Sequence, residues 1–438
     1  MRTRVVLCLL CVAAFTGMAA AQSGDIALAG EVARIYPEID KIYLDLHQTP
    51  ELSTLEVKTS AKMADFLRSA GYEVTAGVGG NGVVGILRNG AGPTVMLRTE
   101  LDALPVEEKT GAAYASKVRM RDITGDDVAV MHACGHDVHM SSWVGTARIM
   151  AATRDRWSGT LIMLAQPAEE RVKGASAMLA DGLYTRFPRP DFAIALHDDA
   201  WLPAGKVGVT PGYLLSNSDA VNITIYGRGA HGSAPQAAID PIVIAAKSIV
   251  GFQALIAREK DPQDPGVVTV GAIHGGTKNN IIPDEVKMQL SVRSFTDETR
   301  NLLLSGIERI VKAEAAAAGA PKPPLVELIE STHATYNDPA LTRRAAAALV
   351  KALGQQNVVD PAPPKMASED FSEFVRAGVP GFMMNAGAVN PAKFAEVKGD
   401  KTKLPSLHSA LFLPDREPTL KTSIAAEVAV LRELMGKK

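Results

Sequence analysis

Residues 132–139 read His-Ala-Cys-Gly-His-Asp-Val-His, so imidazole, thiol and carboxylate side chains crowd into one short segment. Thiolate, imidazole and carboxylate groups together suit zinc and other divalent transition ions. Cys134 is the only cysteine after residue 21, so that part of the chain cannot form an internal disulfide. We therefore interpret Cys134 as a metal ligand.

Side chains of the ligand type also follow other apolar runs of the chain. Glu169 and Glu170 come after one such run and His197 after another, and His408 precedes the last predicted helix. Because functional groups gather at the carboxyl ends of the strands in α/β folds, we expect these side chains to meet. With Cys134 and His136 they make too many ligands for one tetrahedral site. They suit two ions that share a bridging ligand.

The adjacent Glu169 and Glu170 cannot both point the same way in an extended segment, since side chains alternate there. One can bind a metal ion while the other faces a substrate. A carboxylate beside a metal-held water is a natural general base, because a divalent ion lowers the pKa of that water to about 7. The pattern favours metal-assisted hydrolysis.

The N-terminal segment has the layout of a secretory signal peptide. Arg2 and Arg4 precede the apolar run 5–15, which contains the other two cysteines, and small residues lead up to Gln22. The run is too short to cross a bilayer, which takes about 20 apolar residues. We expect removal of residues 1–21 and export to the periplasm or beyond.

Length and composition describe an ordinary globular protein. The 438 residues exceed the roughly 250–300 at which one core stops growing, so two domains are expected. Apolar residues make up 47% of the chain and charged residues 21%, with a net charge of −2. A nucleic-acid surface would need a clustered basic excess, which the sequence lacks. The expected partner is a small molecule.

Apolar runs alternate with stretches of helical spacing up to residue 212, which predicts an α/β domain with a mainly parallel sheet. After residue 212 the order becomes strand, helix, two strands, helix, strand, which is typical of a ferredoxin-like unit. The predicted strands of the sheet are 83–87, 94–97, 160–165, 192–196 and 381–384. The predicted domains are a first catalytic part at 22–212, an inserted unit at 213–332 and a second catalytic part at 333–438.

Seven segments stand out in order along the chain: His132-Ala-Cys-Gly-His-Asp, Pro167-Ala-Glu-Glu, Ala195-Leu-His, Gly229-Ala-His-Gly-Ser-Ala-Pro, Asn280-Ile-Ile-Pro-Asp, Ser368-Glu-Asp-Phe and Leu407-His-Ser. Together they resemble the motifs of peptidase family M20, subfamily D. That group of amidohydrolases includes hippurate hydrolases, N-acyl-amino-acid hydrolases and plant auxin-conjugate hydrolases. The resemblance covers nearly the whole chain from His47 onward, and it implies a metallopeptidase-like catalytic domain with an inserted lid and dimerisation domain.

The resemblance also implies roles for single residues. Two divalent ions, of zinc, manganese, cobalt or nickel, would share Cys134 as a bridge. Glu169 matches the general base, and His231 matches a histidine that polarises the scissile carbonyl, in many members across a dimer interface. Asn280 and Arg293 match positions that hold the free carboxylate of the substrate. The implied metal ligands are Cys134, His136, Glu170, His197 and His408.

Asp102 matches an acid that orients a ligand from behind the metals. The chain departs from the family pattern just before it. It has Arg98-Thr99-Glu100-Leu101-Asp102 where the family commonly has Arg-Ala-Asp-Met-Asp. Glu100 is one methylene longer than the aspartate it replaces, so metal preference is the property most exposed to this change.

The first expectation is an exported, dimeric, dinuclear metal hydrolase that cleaves the amide of an N-acyl amino acid or a similar conjugate. A metal-dependent dipeptidase or carboxypeptidase is the alternative among enzymes. A noncatalytic binding protein is the alternative outside them, although a binder has no need for Glu169 as a base or for His231. Neither a nucleic-acid partner nor a membrane span is expected.

Other polar residues keep simpler or open interpretations. His132 and His139 flank the cysteine motif and could bind metal, but capping or packing is the default for both. Glu369 and Asp370 could be functional or could cap a short helix. Three histidines without companion ligands are interpreted as structural: His47, His274 and His333.

Overall fold

The computed structural model describes residues 24–437. The predicted signal peptide lies outside the described residues and stays a prediction. The helices are α1 Ile26–Gln48, α2 Val57–Ser69, α3 His136–Ala152, α4 Gly174–Ala180, α5 Leu183–Arg186, α6 Pro241–Arg258, α7 Asp297–Ala317, α8 Pro339–Leu353, α9 Phe371–Arg376, α10 Pro391–Glu396 and α11 Arg416–Met435.

The strands are β1 Glu73–Val78, β2 Gly82–Asn89, β3 Thr94–Glu100, β4 Arg119–Arg121, β5 Asp127–Ala129, β6 Gly159–Gln166, β7 Phe192–Pro203, β8 Val207–Gly208, β9 Gly212–Leu215, β10 Ser218–Tyr226, β11 Ala230–His231, β12 Gly266–His274, β13 Ile281–Ile282, β14 Glu285–Ser294, β15 Leu325–Thr332, β16 Thr335–Asn337, β17 Val358–Val359 and β18 Gly381–Val389.

Eight strands form the central sheet in the order β1-β2-β6-β3-β7-β18-β8-β17. Its middle, β6-β3-β7-β18, is parallel throughout. The strands β1 and β2 run antiparallel to their neighbours, and β8 runs antiparallel to β18. The predicted α/β class is therefore confirmed, with a mixed, mostly parallel sheet in which β2 departs from the parallel direction expected for it.

Helices cover both faces of the sheet, which explains why its middle strands are mostly buried and largely apolar up to their carboxyl ends. The helices α1, α3, α8 and α11 share one core cluster, and α4 and α9 contribute to the cluster on the other face. Trp143 of α3 is fully buried, and its indole N–H donates a hydrogen bond of 3.1 Å to the Leu97 carbonyl of β3. This contact fixes α3 against the strand whose end leads to the predicted site.

The inserted unit has the predicted ferredoxin-like order, with β10, α6, β12, β14, α7 and β15 in sequence. Its four strands pair antiparallel in the order β12-β14-β10-β15, and the unit has its own core around Phe252, Val292 and Leu303. The domain boundaries at 212/213 and 332/333 stay predictions. Within residues 24–437, α6 is the one helix long and apolar enough to cross a membrane, but Phe252 and Leu255 of that helix pack into this core.

Candidate metal centre

The five predicted ligands lie together at the carboxyl end of the central sheet, and we call them the ligand cluster: Cys134, His136, Glu170, His197 and His408. Cys134 Sγ lies 3.5 Å from His197 Nε2 and 3.3 Å from His408 Nε2. Glu170 Oε2 lies 3.4 Å from His408 Nε2, and its Oε1 lies 3.9 Å from His136 Nε2. The His408 side chain is 54% exposed, so the cluster opens to solvent on that side.

The donor atoms form two overlapping groups that fit divalent ions. One group joins Cys134 to His136 and His197, and the other joins Cys134 to Glu170 and His408, each within 4.8 Å. The buried atoms His136 Nε2 and Glu170 Oε1 have no hydrogen-bond partner among the described residues. Burial, followed by the negative charge of Glu170, raises the pKa of the Cys134 thiol well above its ordinary value. A cation is therefore needed to hold this sulfur as a thiolate.

Backbone carbonyls orient two of the imidazole rings. His136 Nδ1 lies 2.8 Å from the Asp102 carbonyl oxygen, and His197 Nδ1 lies 2.8 Å from the Asp198 carbonyl oxygen. A carbonyl can only accept, so each Nδ1 carries the proton and each Nε2 lone pair faces the cluster. The chain thus fixes the tautomer that metal binding requires.

Two residues of the site, Gly135 and His408, have left-handed backbone conformations. Gly135 has φ +76°, and a Cβ at this position would overlap the Asp198 carboxylate. His408 has φ +65°, which is uncommon for a residue with a side chain, and its backbone N–H donates to the Ala133 carbonyl at 2.8 Å. Strain of this kind persists where the surrounding structure over-determines the conformation, often at functional sites.

Asp102 is fully buried, and its side chain lies beside the ring of His136 and the backbone of Glu170. Its Oδ2 accepts hydrogen bonds from Ser53 Oγ at 2.6 Å and from the Glu170 backbone N–H at 3.0 Å. Its Oδ1 lies 3.5 Å from His136 Nδ1. Burial alone would raise the pKa of Asp102, but the neighbouring His136 ring and the hydrogen bond from Ser53 lower it overall. Asp102 therefore positions both a ligand ring and a ligand backbone.

Glu169 faces the same centre as its neighbour, with Oε2 3.8 Å from His136 Nε2. It is buried, and no hydrogen bond reaches its carboxylate from residues 24–437. Burial, followed by the negative charges of Glu369 and Glu170, raises the pKa of Glu169 well above its ordinary value. Glu169 therefore lies beside the ligand cluster with a carboxylate that no described residue holds by a hydrogen bond.

A buried network behind the cluster was not predicted as such. Arg98 Nη2 lies 2.6 Å from Glu369 Oε1 and 3.2 Å from Asp370 Oδ1, while Nη1 pairs with Glu100. Glu100 Oε2 lies 3.0 Å from His139 Nδ1. The sequence contains one indication of this network. Arg98, Glu100 and Asp102 alternate at the end of a buried strand, so they share a face.

His139 and His132 differ in what they contact. His139 Nε2 accepts the Asp198 backbone N–H at 2.8 Å, and its Nδ1 is engaged by Glu100, so the ring supports the cluster from behind. His132 is buried with both ring nitrogens unpartnered in the part of the chain described. Burial lowers the pKa of His132 to about 4, which keeps the ring neutral.

The three remaining predicted residues lie in the inserted unit. His231 is exposed, and its Nδ1 lies 2.7 Å from Ser233 Oγ. Asn280 is adjacent, because its carbonyl accepts the Gly232 N–H at 2.8 Å. Arg293 is partly buried and donates to the Met366 carbonyl at 2.8 Å, with no carboxylate partner within residues 24–437. The structure brings His231 and Asn280 together, but no contact among the described residues joins them to the ligand cluster.

We expect Gly135→Ala to reduce bound divalent metal and to lower the melting temperature, because the new methyl group displaces Asp198 and strains the ligand loop. Gly125→Ala is the matched control, since Gly125 has φ +92° but open space around its Cβ position. Both variants carry about 1 kcal/mol of backbone cost. Metal content after dialysis should fall only in Gly135→Ala, and equal metal content in both would contradict the assignment.

Comparison with known proteins agrees with this geometry. The family model described as Peptidase family M20/M25/M40 matches residues 96–406. Hippurate hydrolase of Campylobacter jejuni is 36% identical over 79% of this chain and 87% of its own, and thermostable carboxypeptidase 2 of Saccharolobus solfataricus is 35% identical over 84% and 90%. N-acetyl-L-cysteine deacetylase of Bacillus subtilis is 35% identical over 77% of each chain.

A solved structure supports the same relationship. The YXEP protein of Bacillus subtilis, described as a dinuclear metal binding peptidase from the M20 family, superposes with a TM-score of 0.72 at 28% identity. The match covers 93% of this chain and 98% of that one. Fold, motif order and sequence identity lead to one conclusion: the chain belongs to peptidase family M20/M25/M40.

Proposed function

We propose that this protein is a metal-dependent amidohydrolase that cleaves the amide bond of N-acyl amino acids or related conjugates. The observation that carries the proposal is the position of Glu169. Its carboxylate lies beside a cluster of five ligand side chains and accepts no hydrogen bond from residues 24–437. A hippurate hydrolase and an N-acetyl-L-cysteine deacetylase among the relatives support the substrate class.

The ligand cluster would hold two divalent ions, of zinc, manganese, cobalt or nickel. Cys134 belongs to both donor groups, which supports its assignment as the bridge. The description of the YXEP protein as dinuclear supports the number of ions. When bound, the ions supply Lewis acidity to the scissile carbonyl and lower the pKa of water.

The side chains of the protein have separate roles in the reaction. Glu169 takes the proton from the attacking water and delivers it to the nitrogen of the leaving amine. Asp102 holds the backbone of Glu170, which fixes the turn from which both adjacent carboxylates reach His136. Arg293, which has no carboxylate partner among residues 24–437, is free to bind the carboxylate of the substrate.

The alternative among enzymes is a peptidase acting on short peptides, and it is favoured by the relationship to thermostable carboxypeptidase 2. Both reactions need the same ions and base, because each hydrolyses an amide. They differ in what the walls of the substrate pocket accept, so a substrate panel separates them.

To test the function, the protein loaded in turn with zinc, manganese and cobalt should be incubated with N-acetyl, N-benzoyl and longer-chain acyl amino acids and with dipeptides. We expect chelator-sensitive release of free amino acid from the acyl amino acids. Release from dipeptides alone would make the protein a peptidase. No release with any metal would favour a binding protein.

We expect Glu169→Gln to lower kcat by about 10²- to 10⁴-fold, the usual contribution of a general acid–base group, while metal content stays unchanged. Glu170→Gln is the matched control at the adjacent position, and it should instead lose bound metal because a ligand oxygen is replaced. Metal analysis and steady-state kinetics on both variants provide the measurement. Full activity in Glu169→Gln would remove this residue from the mechanism.

A homodimer would bring His231 to the centre from a second copy of the chain. The exposed position of His231 supports this arrangement, as does the edge strand β15, whose Leu325, Leu328 and Ile329 side chains are exposed. Mixing inactive Glu169→Gln protein with inactive His231→Asn protein should then restore activity, because one site of the mixed dimer has both groups. No recovery after subunit exchange would place His231 outside a shared site.

A further inference from the structure

His47 lies in the last turn of α1, far along the chain from every ligand, and yet its ring is between two buried carboxylates. Its Nδ1 is 2.6 Å from Asp137 Oδ2, and its Nε2 is 3.2 Å from Glu108 Oε1. All three side chains are shielded from solvent. Burial alone would lower the pKa of His47, but hydrogen bonds to Asp137 and Glu108 raise it to about 9. We call this group the His47 bridge.

One arm of the bridge ends beside a ligand on α3. Asp137 directly follows His136, and its Oδ1 accepts the backbone N–H of Val138 in the first turn of the helix. The turn before it cannot shift freely, because Gly135 is packed against the Asp198 carboxylate. The contact between His47 and Asp137 therefore fixes the position of the first turn of α3, which includes His136.

The other arm leads to the last ligand of the chain. Glu108 also accepts hydrogen bonds from Thr110 Oγ1 and from the Ser116 N–H at 2.6 Å. These bonds hold together the loop in which Glu108 lies. The next residue, Lys109, donates its backbone N–H to the Ala410 carbonyl at 2.8 Å. Ala410 lies two residues after His408, so the loop around Glu108 supports the segment that carries this ligand.

We infer that His47 is a positioning residue that holds His136 and His408 at their mutual distance by bridging Asp137 and Glu108. A buried ion pair is a weak device for stability, since well-packed apolar side chains often stabilise as much or more. Here the bridge instead fixes geometry, because its two arms end at segments that supply ligands from distant parts of the sequence. This inference rests on the proposed function only for the identity of the ligands.

The test is a cobalt titration of metal-free protein, followed by the thiolate-to-cobalt and d–d absorption bands. We expect His47→Gln to fold, to bind cobalt about 10- to 100-fold more weakly, as is typical when a residue supporting a ligand is replaced, and to show shifted d–d bands. Tyr72→Phe is the matched control, because it removes a buried hydrogen bond of 3.0 Å from the Tyr72 hydroxyl to Ala147 in the same helix. Its affinity and spectrum should equal those of the wild type.

Folded His47→Gln protein with the affinity and spectrum of the wild type would overturn the inference and leave the bridge a stabilising contact only. Should His47→Gln fail to fold, Glu108→Gln decides, since it weakens one arm and keeps the pair of His47 and Asp137. An unchanged spectrum in folded Glu108→Gln protein would equally overturn the inference. Wild-type protein that takes up no cobalt would instead overturn the proposed function.

Discussion

Around the ligand cluster, carboxylates and imidazoles are packed together out of contact with water. Ionised groups in such a place need compensating charge and hydrogen bonds, or they change their protonation state. Arg98 supplies compensation for Glu100, Glu369 and Asp370. Glu170 has only imidazole rings as cationic neighbours in the salt-bridge contacts of the described chain. Two divalent ions would supply the positive charge that Glu170 lacks. The charges of the site and of the buried network around it would then compensate one another.

The parts of the site that the sequence could predict are those with a local signal. Cys134, His136, Glu170 and His197 stand close after an apolar run or at a helix start, and parallel strands bring such positions to one edge of a sheet. His408 has no such signal, because it lies in a loop before α11. The inserted unit was equally predictable, because the alternation of strand and helix periods specifies the ferredoxin-like order without reference to the rest of the chain.

The parts that could not be predicted depend on contacts distant in sequence. Arg98 and Glu369 are 271 residues apart, and nothing in either neighbourhood indicates their pairing. The direction of β2 is a different case, because the short connection between β1 and β2 permits only an antiparallel hairpin. Gly79-Gly80-Asn81 is a turn signal of that kind, and the strand β1 before it is too exposed to stand out as an apolar run.

The position of His408 has a consequence for the order in which the protein becomes complete. Cys134 and His408 are 274 residues apart, and the whole inserted unit lies between them. A chain leaving the ribosome can therefore form the central strands and the inserted unit before the last ligand exists. An ion bound by the early and late segments would close a very long loop and tie the C-terminal segment to the rest of the molecule.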